Sequence, residues 1–303
     1  MNTAALLVPD FLLIVCGALI CRYTALNQAV WDKVEQLVYW FLFPVLLFSS
    51  VLRSPLDLAA VSKLGGAAIG LGLVMVALAY ALPHLPGLKH RIDLREHAAS
   101  AQVAFRFNSY LALAVVERMA GSEGLLMLAL IIGCCVPLFN ASAVWPMARA
   151  SGRSVWGELA RNPLILSTAG GLICNLAGLS MPEWLATSAT RIGSCAIVLG
   201  LLAAGAAMRF DKLWAARTLG VSVLVLRHAV TPFIAVLLAH ALKLSPTQTA
   251  VLLVFATVPT ASSCHVLANR MGYDGSLVAG LVTLSTAFGM LSLPLGFALA
   301  KWL

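Results

Sequence analysis

Long apolar runs separated by short polar segments make up most of the chain. Five runs contain no Asp, Glu, Lys or Arg and are long enough to span a bilayer, which takes about 20 helical residues: 64–83, 124–148, 162–182, 244–269 and 275–300. Five shorter or interrupted runs each carry a proline, a charge or a glycine cluster: 4–21, 34–52, 97–119, 190–208 and 218–241. The pattern predicts an all-α membrane protein with ten transmembrane helices.

Composition agrees with this pattern and limits what else the chain contains. Of its 303 residues, 61% are apolar and only 11% are charged, and the mean hydropathy is +0.94. Ten spans use roughly 200 positions, so no separate soluble domain fits between them. The net charge of +8 comes from basic residues scattered singly between apolar runs. This scatter excludes a nucleic-acid-binding patch and leaves the lipid bilayer as the expected surroundings.

Motifs for enzymes, metals and disulfides are missing from the sequence. The seven cysteines form no Cys-x-x-Cys pair and are expected to pack as small residues, without a metal or cofactor. Neither His-Glu-x-x-His nor Gly-x-Ser-x-Gly occurs, so we expect no enzyme. Gly66-x-x-x-Gly70 predicts close helix packing in the third span.

Basic residues in the loops predict the orientation of the chain. The loops after helices one, three, five, seven and nine hold twelve Lys and Arg residues, whereas the opposite side holds six. The positive-inside rule then places both termini on the non-cytoplasmic side of the cell (inner) membrane. Arg106 and Arg227 are the two remaining basic residues, and both fall within predicted spans.

The two halves of the chain, 1–150 and 151–303, have similar architecture. Each half contains five predicted helices and ends with an interrupted helix, a short charged connector and one long apolar span. Because five is an odd number, the second half must enter the membrane from the opposite side. The sequence thus predicts a 5+5 inverted repeat, which is typical of secondary transporters.

Two predicted helices are interrupted by polar residues near their middle. The fourth contains Phe105-Arg106-Phe107-Asn108-Ser109-Tyr110, and the ninth contains Thr257-Val258-Pro259-Thr260-Ala261-Ser262-Ser263. Pro259 removes a backbone donor, and the hydroxyl residues after it can cap a new half-helix. An offset of 152 residues between the halves places Asn108 opposite Thr260. Broken helices of this kind direct half-helix N-termini at a substrate in transporters.

These segments resemble the auxin efflux carrier family, within the bile acid/sodium symporter-like superfamily. The run from Arg106 to Tyr110 resembles the family's Arg-x-Asn-Thr-Tyr segment, and Pro137-Leu138-Phe139-Asn140 resembles its Pro-x-x-Asn. The run from Pro259 to Ser263 is similar to its second crossing segment. His265 and Tyr273 depart from the family pattern, which commonly has an aromatic residue and a glycine there.

The resemblance implies a fold, a mechanism and a class of substrate. Interrupted helices 4 and 9 would cross at the membrane midplane. Helices 1, 2, 6 and 7 would form a scaffold within a homodimer, and helices 3–5 and 8–10 a transport domain that moves like an elevator. Substrates would be small organic anions such as malate, malonate or indole acetate. By analogy, Asn108, Asn140 and either Ser49 or Ser50 would contact them.

Arg106 is the most informative candidate, because an arginine at mid-membrane costs at least about 3 kcal/mol on insertion scales. Its guanidinium is suited either to clamping a carboxylate or to binding backbone carbonyls freed at the break. Asn108 and Thr260 could likewise offer donors to an anion or serve only as helix caps. The predicted substrate-binding set is Arg106, Asn108, Ser109, Tyr110, Asn140, Thr260, Ser262, Ser263, His265 and Ser49.

Four ionisable residues bear on ion coupling, namely Arg227, His265, Asp10 and Glu117. Arg227, together with Pro259, is assigned a structural role at the breaks, where it would lie against negative half-helix ends. There it would either replace a sodium ion or form a salt bridge to a helix end without a role in transport. His265 is either a proton-coupling residue or a packed, hydrogen-bonded histidine. Asp10 and Glu117 are expected near the interfaces without a second buried carboxylate, which argues against a proton antiporter built on a carboxylate pair.

The sequence therefore predicts a carrier of small organic anions, with carboxylates as substrates and alternating access around the two breaks. Two alternatives remain at this point: a channel or sensor built on a transporter fold, and a sodium- or proton-coupled symporter of the bile-acid type. The identity of the anion, the direction of net flux and the coupling ion do not follow from the sequence.

Overall fold

The structure is a computed structural model that describes residues 3–53, 58–150, 161, 163–208, 217–261 and 263–300. Within these ranges all regular secondary structure is helical. The first half comprises α1 (Thr3–Tyr23), α2 (Gln28–Leu37), a π-helical turn (Val38–Leu42), α3 (Phe43–Arg53), α4 (Leu58–Ala81), a 3₁₀ turn (Leu82–His84), α5 (Leu94–Ser100), α6 (Gln102–Phe105) and α7 (Ser109–Ala150). The second half comprises α8 (Pro163–Leu176), α9 (Glu183–Ala206), α10 (Arg217–Val225), a second π-helical turn (Leu226–Val230), α11 (Thr231–Ala241), α12 (Pro246–Thr257), α13 (Ser263–Arg270) and α14 (Gly275–Ala300).

Six stretches of the described chain are helices long and apolar enough to cross a membrane: Gln28–Arg53, Lys63–His84, Leu130–Ala148, Glu183–Ala203, Arg217–Ala241 and Gly275–Ala298. Two of the five uncharged runs form shorter helices than expected. Run 162–182 contributes only α8, because the chain turns at Gly178, whose φ is +69°. Run 244–269 is divided between α12 and α13.

Helix α7 consists of two helices that meet at Gly121. This residue has φ 56° and ψ −146°, a conformation that L-residues with side chains rarely adopt. The bend falls between the predicted fourth span, 97–119, and the predicted fifth span, 124–148. A glycine at this point allows the chain to turn between the two spans.

Both predicted interruptions are present in the structure. Helix α6 ends at Phe105, and Arg106 is extended, with φ −75° and ψ 147°, before α7 begins at Ser109. Helix α12 ends at Thr257, and α13 begins at Ser263. The two breaks touch, since the backbone N–H of Asn108 donates to the carbonyl of Pro259 at 2.8 Å.

Two π-helical turns were not predicted from the sequence. Val38–Leu42 joins α2 to α3, and Leu226–Val230 joins α10 to α11. Such turns are rare and often accompany functional sites. Here the first contributes Val38 and Tyr39 to a cavity at the breaks, and the second carries Arg227.

Helices α1 and α9 form the most extensive helix–helix contact of the described chain. A Cβ at Gly205 would lie 1.7 Å from the Ile14 carbonyl oxygen, and one at Gly17 would lie 1.9 Å from that of Leu202. The close packing expected at Gly66 and Gly70 is not found, because no described atom lies within 4 Å of a Cβ at either position. Close helix approach therefore depends on Gly17 and Gly205 instead.

Replacing Gly205 with alanine should destabilise the protein, because the added methyl meets backbone atoms of α1 that can yield only if the helix moves. We expect a loss of about 1–3 kcal/mol, the usual cost of overpacking a tight contact. Thermal unfolding of the purified protein in detergent measures the effect. Gly66→Ala is the matched control, since its methyl enters open space and should leave the melting temperature unchanged or higher. Equal melting curves for the two variants would contradict the packing described here.

Candidate functional site

A cavity of about 40 Å³ lies where the two breaks meet the first π-helical turn, α7 and α9. This space is large enough for a few water molecules. Its polar lining residues are Glu35, Tyr39, Arg106, Asn108, Ser109, Asn140 and Ser263. We call it the central cavity.

Arg106 lies in the first break and is only 6% exposed. Its Nη1 donates to Gln102 Oε1 at 2.8 Å, and its Nη2 donates to Ser263 Oγ at 3.0 Å. Both partners are neutral side chains. The Cys264 thiol is a third polar neighbour of the guanidinium. A buried cation of this kind is stabilised when an anion enters the cavity beside it.

Two helices begin at the central cavity. Asn108 precedes α7 and caps it, since its Oδ1 accepts from the backbone N–H of Leu111 at 3.1 Å. Ser109 is the first residue of α7, Ser263 is the first residue of α13, and both line the cavity. Helix N-termini carry partial positive charge and free N–H groups, which favour anions. They therefore add to the field of Arg106.

Asn140 brings an uncommitted donor to the same cavity. The residue is 1% exposed, and its Nδ2 is buried without a hydrogen-bond partner among the described residues. Such atoms are rare in native proteins and require a partner. A ligand acceptor in the central cavity would provide one.

The other side of the central cavity is apolar. Phe43, Val136, Phe139 and Ala261 contribute to its lining, together with Phe107. Behind this wall Phe107 packs edge-on against Phe255, with centroids 4.7 Å apart, and Phe139 stacks parallel to Phe255 at 6.1 Å. The cavity thus has one cationic, donor-rich end and one apolar end.

Arg227 binds the C-terminal end of α12. Its Nε donates to the Val258 carbonyl at 3.0 Å, and its Nη2 donates to the carbonyls of Phe255, at 3.1 Å, and Val258. The side chain is 1% exposed. Its positive charge therefore faces the negative end of the helix dipole at the second break.

Side chains of α14 bind the backbone on either side of the second break. Ser292 Oγ donates to the Thr257 carbonyl at 2.9 Å, and Ser285 Oγ accepts from the Thr260 N–H at 2.9 Å. His228 lies between the two serines, at 3.0 Å from Ser292 Oγ and 2.8 Å from Ser285 Oγ. The second break is therefore held by side chains from the second π-helical turn and α14.

A second cavity of about 260 Å³ adjoins the central one, and we call it the outer cavity, a name that refers to neither side of the membrane. It is lined by Asp32, Tyr39, His265, Arg270 and other residues of α2 and α13, and Glu35 lines both cavities. His265 Nε2 lies 2.9 Å from Glu35 Oε2. Both residues are buried, so α2 and α13 are joined at this point by an acid–histidine pair.

The structure brings five of the predicted substrate-binding residues to the central cavity: Arg106, Asn108, Ser109, Asn140 and Ser263. Three others lie elsewhere. Thr260 is buried with its Oγ1 3.6 Å from Cys264 Sγ, Ser49 donates to the Leu46 carbonyl, and His265 lines the outer cavity. Ser262 and the side chains of Tyr110 and Ser50 lie outside the described residues.

Sequence reasoning missed Glu35 and Gln102. Glu35 is a buried carboxylate in the first turns of the predicted second span, and no such carboxylate was expected there. Gln102 accepts from Arg106 and donates to the Cys264 carbonyl at 3.1 Å, so it links the two breaks. Among the residues that the structure describes, no group of three His, Cys, Asp or Glu side chains is arranged to hold a metal ion.

Comparison with known families identifies the group to which the chain belongs. Residues 60–296 match the family described as membrane transport protein, which is the auxin efflux carrier family. The chain belongs to this family. No curated protein matches the chain significantly.

Membership in the membrane transport protein family agrees with the helices described above. Its members are transporters, and the described chain contains six helices of spanning length. The protein is therefore a multi-pass membrane transporter. The cavity that the two breaks enclose is the natural candidate for its transport site.

Proposed function

We propose that the protein is a secondary carrier of small organic anions, with carboxylates such as malate, malonate or auxin-like acids as substrates. The observation that carries this proposal is Arg106, a buried guanidinium whose hydrogen-bond partners are neutral and which lines the central cavity. Guanidinium groups bind carboxylates through two parallel hydrogen bonds. Arg106 would bind the carboxylate, and the starts of α7 and α13 would add to its field.

The rest of the central cavity suits an acid with an apolar body. Asn140 Nδ2 would donate to a carboxylate oxygen or to a second polar group of the substrate. Phe107 and Phe139 would pack against its carbon skeleton. Asn108 would act through its helix, since its side-chain oxygen already accepts from Leu111.

We further propose the ten-helix architecture with two inverted repeats and breaks that cross at the midplane. The hydrogen bond between Asn108 and Pro259 supports the crossing, because it joins the centres of the two interrupted helices. The central cavity lies between α2, α3 and α9 on one side and the breaks on the other, as a scaffold and a transport domain would require.

The proposed assembly is a homodimer, and the proposed orientation places both termini on the non-cytoplasmic side. Helices α1 and α9 carry exposed leucines and Trp184, an apolar surface that would face lipid or a second copy in a homodimer. The excess of Lys and Arg in alternate loops supports non-cytoplasmic termini in the inner membrane.

Ligand-induced stabilisation of the purified protein tests the site. Malate, malonate, succinate and indole acetate are added in turn, and a bound acid at 100 times its Kd should raise the stability by about 2.7 kcal/mol. Asn140→Leu should reduce this shift for every acid that binds, because the buried donor is removed. Shifts of equal size in wild type and variant would contradict the assignment of Asn140, and no shift with any acid would contradict the substrate class.

Transport by this carrier should not require sodium. The carbonyls of Phe255 and Val258, which would otherwise be available to a cation at the second break, accept from Arg227. We expect equal flux into proteoliposomes in sodium, potassium and choline chloride. A strict sodium requirement of the wild type would contradict this role of Arg227.

A further inference from the structure

Glu35 stands at the boundary between the two cavities. It is the one carboxylate among the described residues that lines the central cavity, and it also lines the outer cavity. Arg106 lines the central cavity as well. Arg106 and Glu35 therefore bring groups of opposite formal charge to the same cavity.

His265 is the partner of Glu35 on the opposite side of the interface. Its Nε2 lies 2.9 Å from Glu35 Oε2, and both residues are buried. Glu35 belongs to α2, whereas His265 belongs to α13, which begins at the second break. The pair therefore connects the two sides that would move relative to each other during transport.

Asp32 and Arg270 also lie near this pair, but unlike Glu35 and His265 both are exposed. Asp32 is exposed and accepts from Gln28 Nε2 at 2.9 Å. The Arg270 guanidinium lies 4.3 Å from the centroid of the Trp40 ring and 5.3 Å from that of Tyr39. Helix α9, which also packs against α2, contributes only Gly200 and Ala203 to the central cavity. Within the described chain, the Glu35–His265 pair is thus the buried acid–histidine contact at the cavity boundary.

An incoming anion changes the balance of charge at this site. Bound to Arg106, it neutralises the guanidinium and leaves the Glu35 carboxylate uncompensated in an enclosed space, which is unfavourable. One added proton on the pair restores the balance. Histidine is suited to this task because its ordinary charge change falls between pH 5 and 8.

We propose that the Glu35–His265 pair takes up one proton for each organic anion that binds at Arg106, so that the carrier co-transports the anion with a proton. This inference rests on the proposed function. The proton enters from the outer cavity, is held between His265 Nε2 and Glu35 Oε2, stays on His265 when α13 moves away from α2, and leaves to water with the anion on the other side. No bond other than the one to the proton forms or breaks.

Accumulation driven by a pH gradient tests the proposal. The wild type is reconstituted into liposomes whose membrane potential is clamped with potassium and valinomycin, and the outer pH is set about one unit below the inner pH. Radiolabelled malonate, malate, succinate and indole acetate are the probes, with protein-free liposomes to subtract passive entry. One proton per anion predicts about tenfold accumulation, the ratio set by one pH unit.

Glu35→Gln and His265→Gln should reduce this accumulation ratio to about one, because neither variant has the complete proton-binding pair. Glu183→Gln is the matched control, since it removes an exposed carboxylate of α9 that lines neither cavity, and it should keep the ratio at about ten. Should Glu35→Gln fail to insert, the ratio of His265→Gln decides the assignment in its place.

The outcomes separate this inference from the proposed function. Wild type that exchanges an acid at equal pH but does not accumulate it under the gradient overturns proton coupling and leaves the anion carrier standing. Both glutamine variants accumulating the acid as the wild type does overturns the assignment to Glu35 and His265. No exchange of any acid by the wild type contradicts the proposed function itself.

Discussion

Replacing Arg106 with alanine should abolish measurable transport of organic anions. The guanidinium is the one cation among the described residues lining the central cavity. Truncating one member of a buried, hydrogen-bonded charge pair costs about 2–5 kcal/mol, which corresponds to at least about a 30-fold loss of affinity. Flux of radiolabelled acid into proteoliposomes at a concentration below saturation measures this loss.

Two companion variants of Arg106→Ala identify the cause of the loss. Arg106→Lys keeps the charge but lacks the planar fork, so it should retain partial activity with weaker binding. Arg191→Ala removes an exposed arginine of α9 and should transport like the wild type. Normal flux in Arg106→Ala would show that substrate binds without this guanidinium.

Replacing Arg227 with methionine should strongly destabilise the protein. The carbonyls of Phe255 and Val258 would lose their side-chain donor at the end of α12. Each unsatisfied buried polar group costs about 1–3 kcal/mol, so a total loss of several kcal/mol is expected. The melting temperature of the purified variant, compared with that of Arg191→Met, measures the effect. An unchanged melting temperature would mean that the second break does not depend on Arg227.

The two breaks could be predicted because their residues are unusual within apolar helices. Pro259 cannot continue a backbone hydrogen-bond ladder, and Arg106 with Asn108 places charge and polarity where a span should be apolar. The structure shows helices ending at Phe105 and Thr257 on either side of these residues. The sequence alone is sufficient to predict each break, because the residues that interrupt the helix lie within a few consecutive positions.

Other parts of the site depend on tertiary contacts that a single sequence does not reveal. Nothing in the composition of Val38–Leu42 or Leu226–Val230 distinguishes a π-helical turn from an α-helix. Thr260 was expected beside the substrate because it corresponds to Asn108, yet the structure buries it against Cys264 and outside the central cavity. Asn108 and Thr260, which correspond by sequence offset, therefore have different surroundings.

Glu35 was missed although a signal existed. Trp31, Glu35, Val38 and Leu42 follow one another at spacings of three or four residues, and all are buried. Helical periodicity therefore placed Glu35 on the buried face of the second span. Its partner His265 lies more than two hundred residues away in sequence, so the helical pattern alone does not reveal the contact.

Counterflow in proteoliposomes tests the central claim, that the protein is a carrier of organic anions, most directly. Vesicles containing the wild type are loaded with unlabelled malate, malonate, succinate or indole acetate, diluted into a trace of the same labelled acid, and followed over time. A carrier predicts a transient, saturable accumulation of label for at least one acid, with none in protein-free vesicles. Absence of accumulation for every acid, in vesicles shown to contain folded protein, would contradict the account.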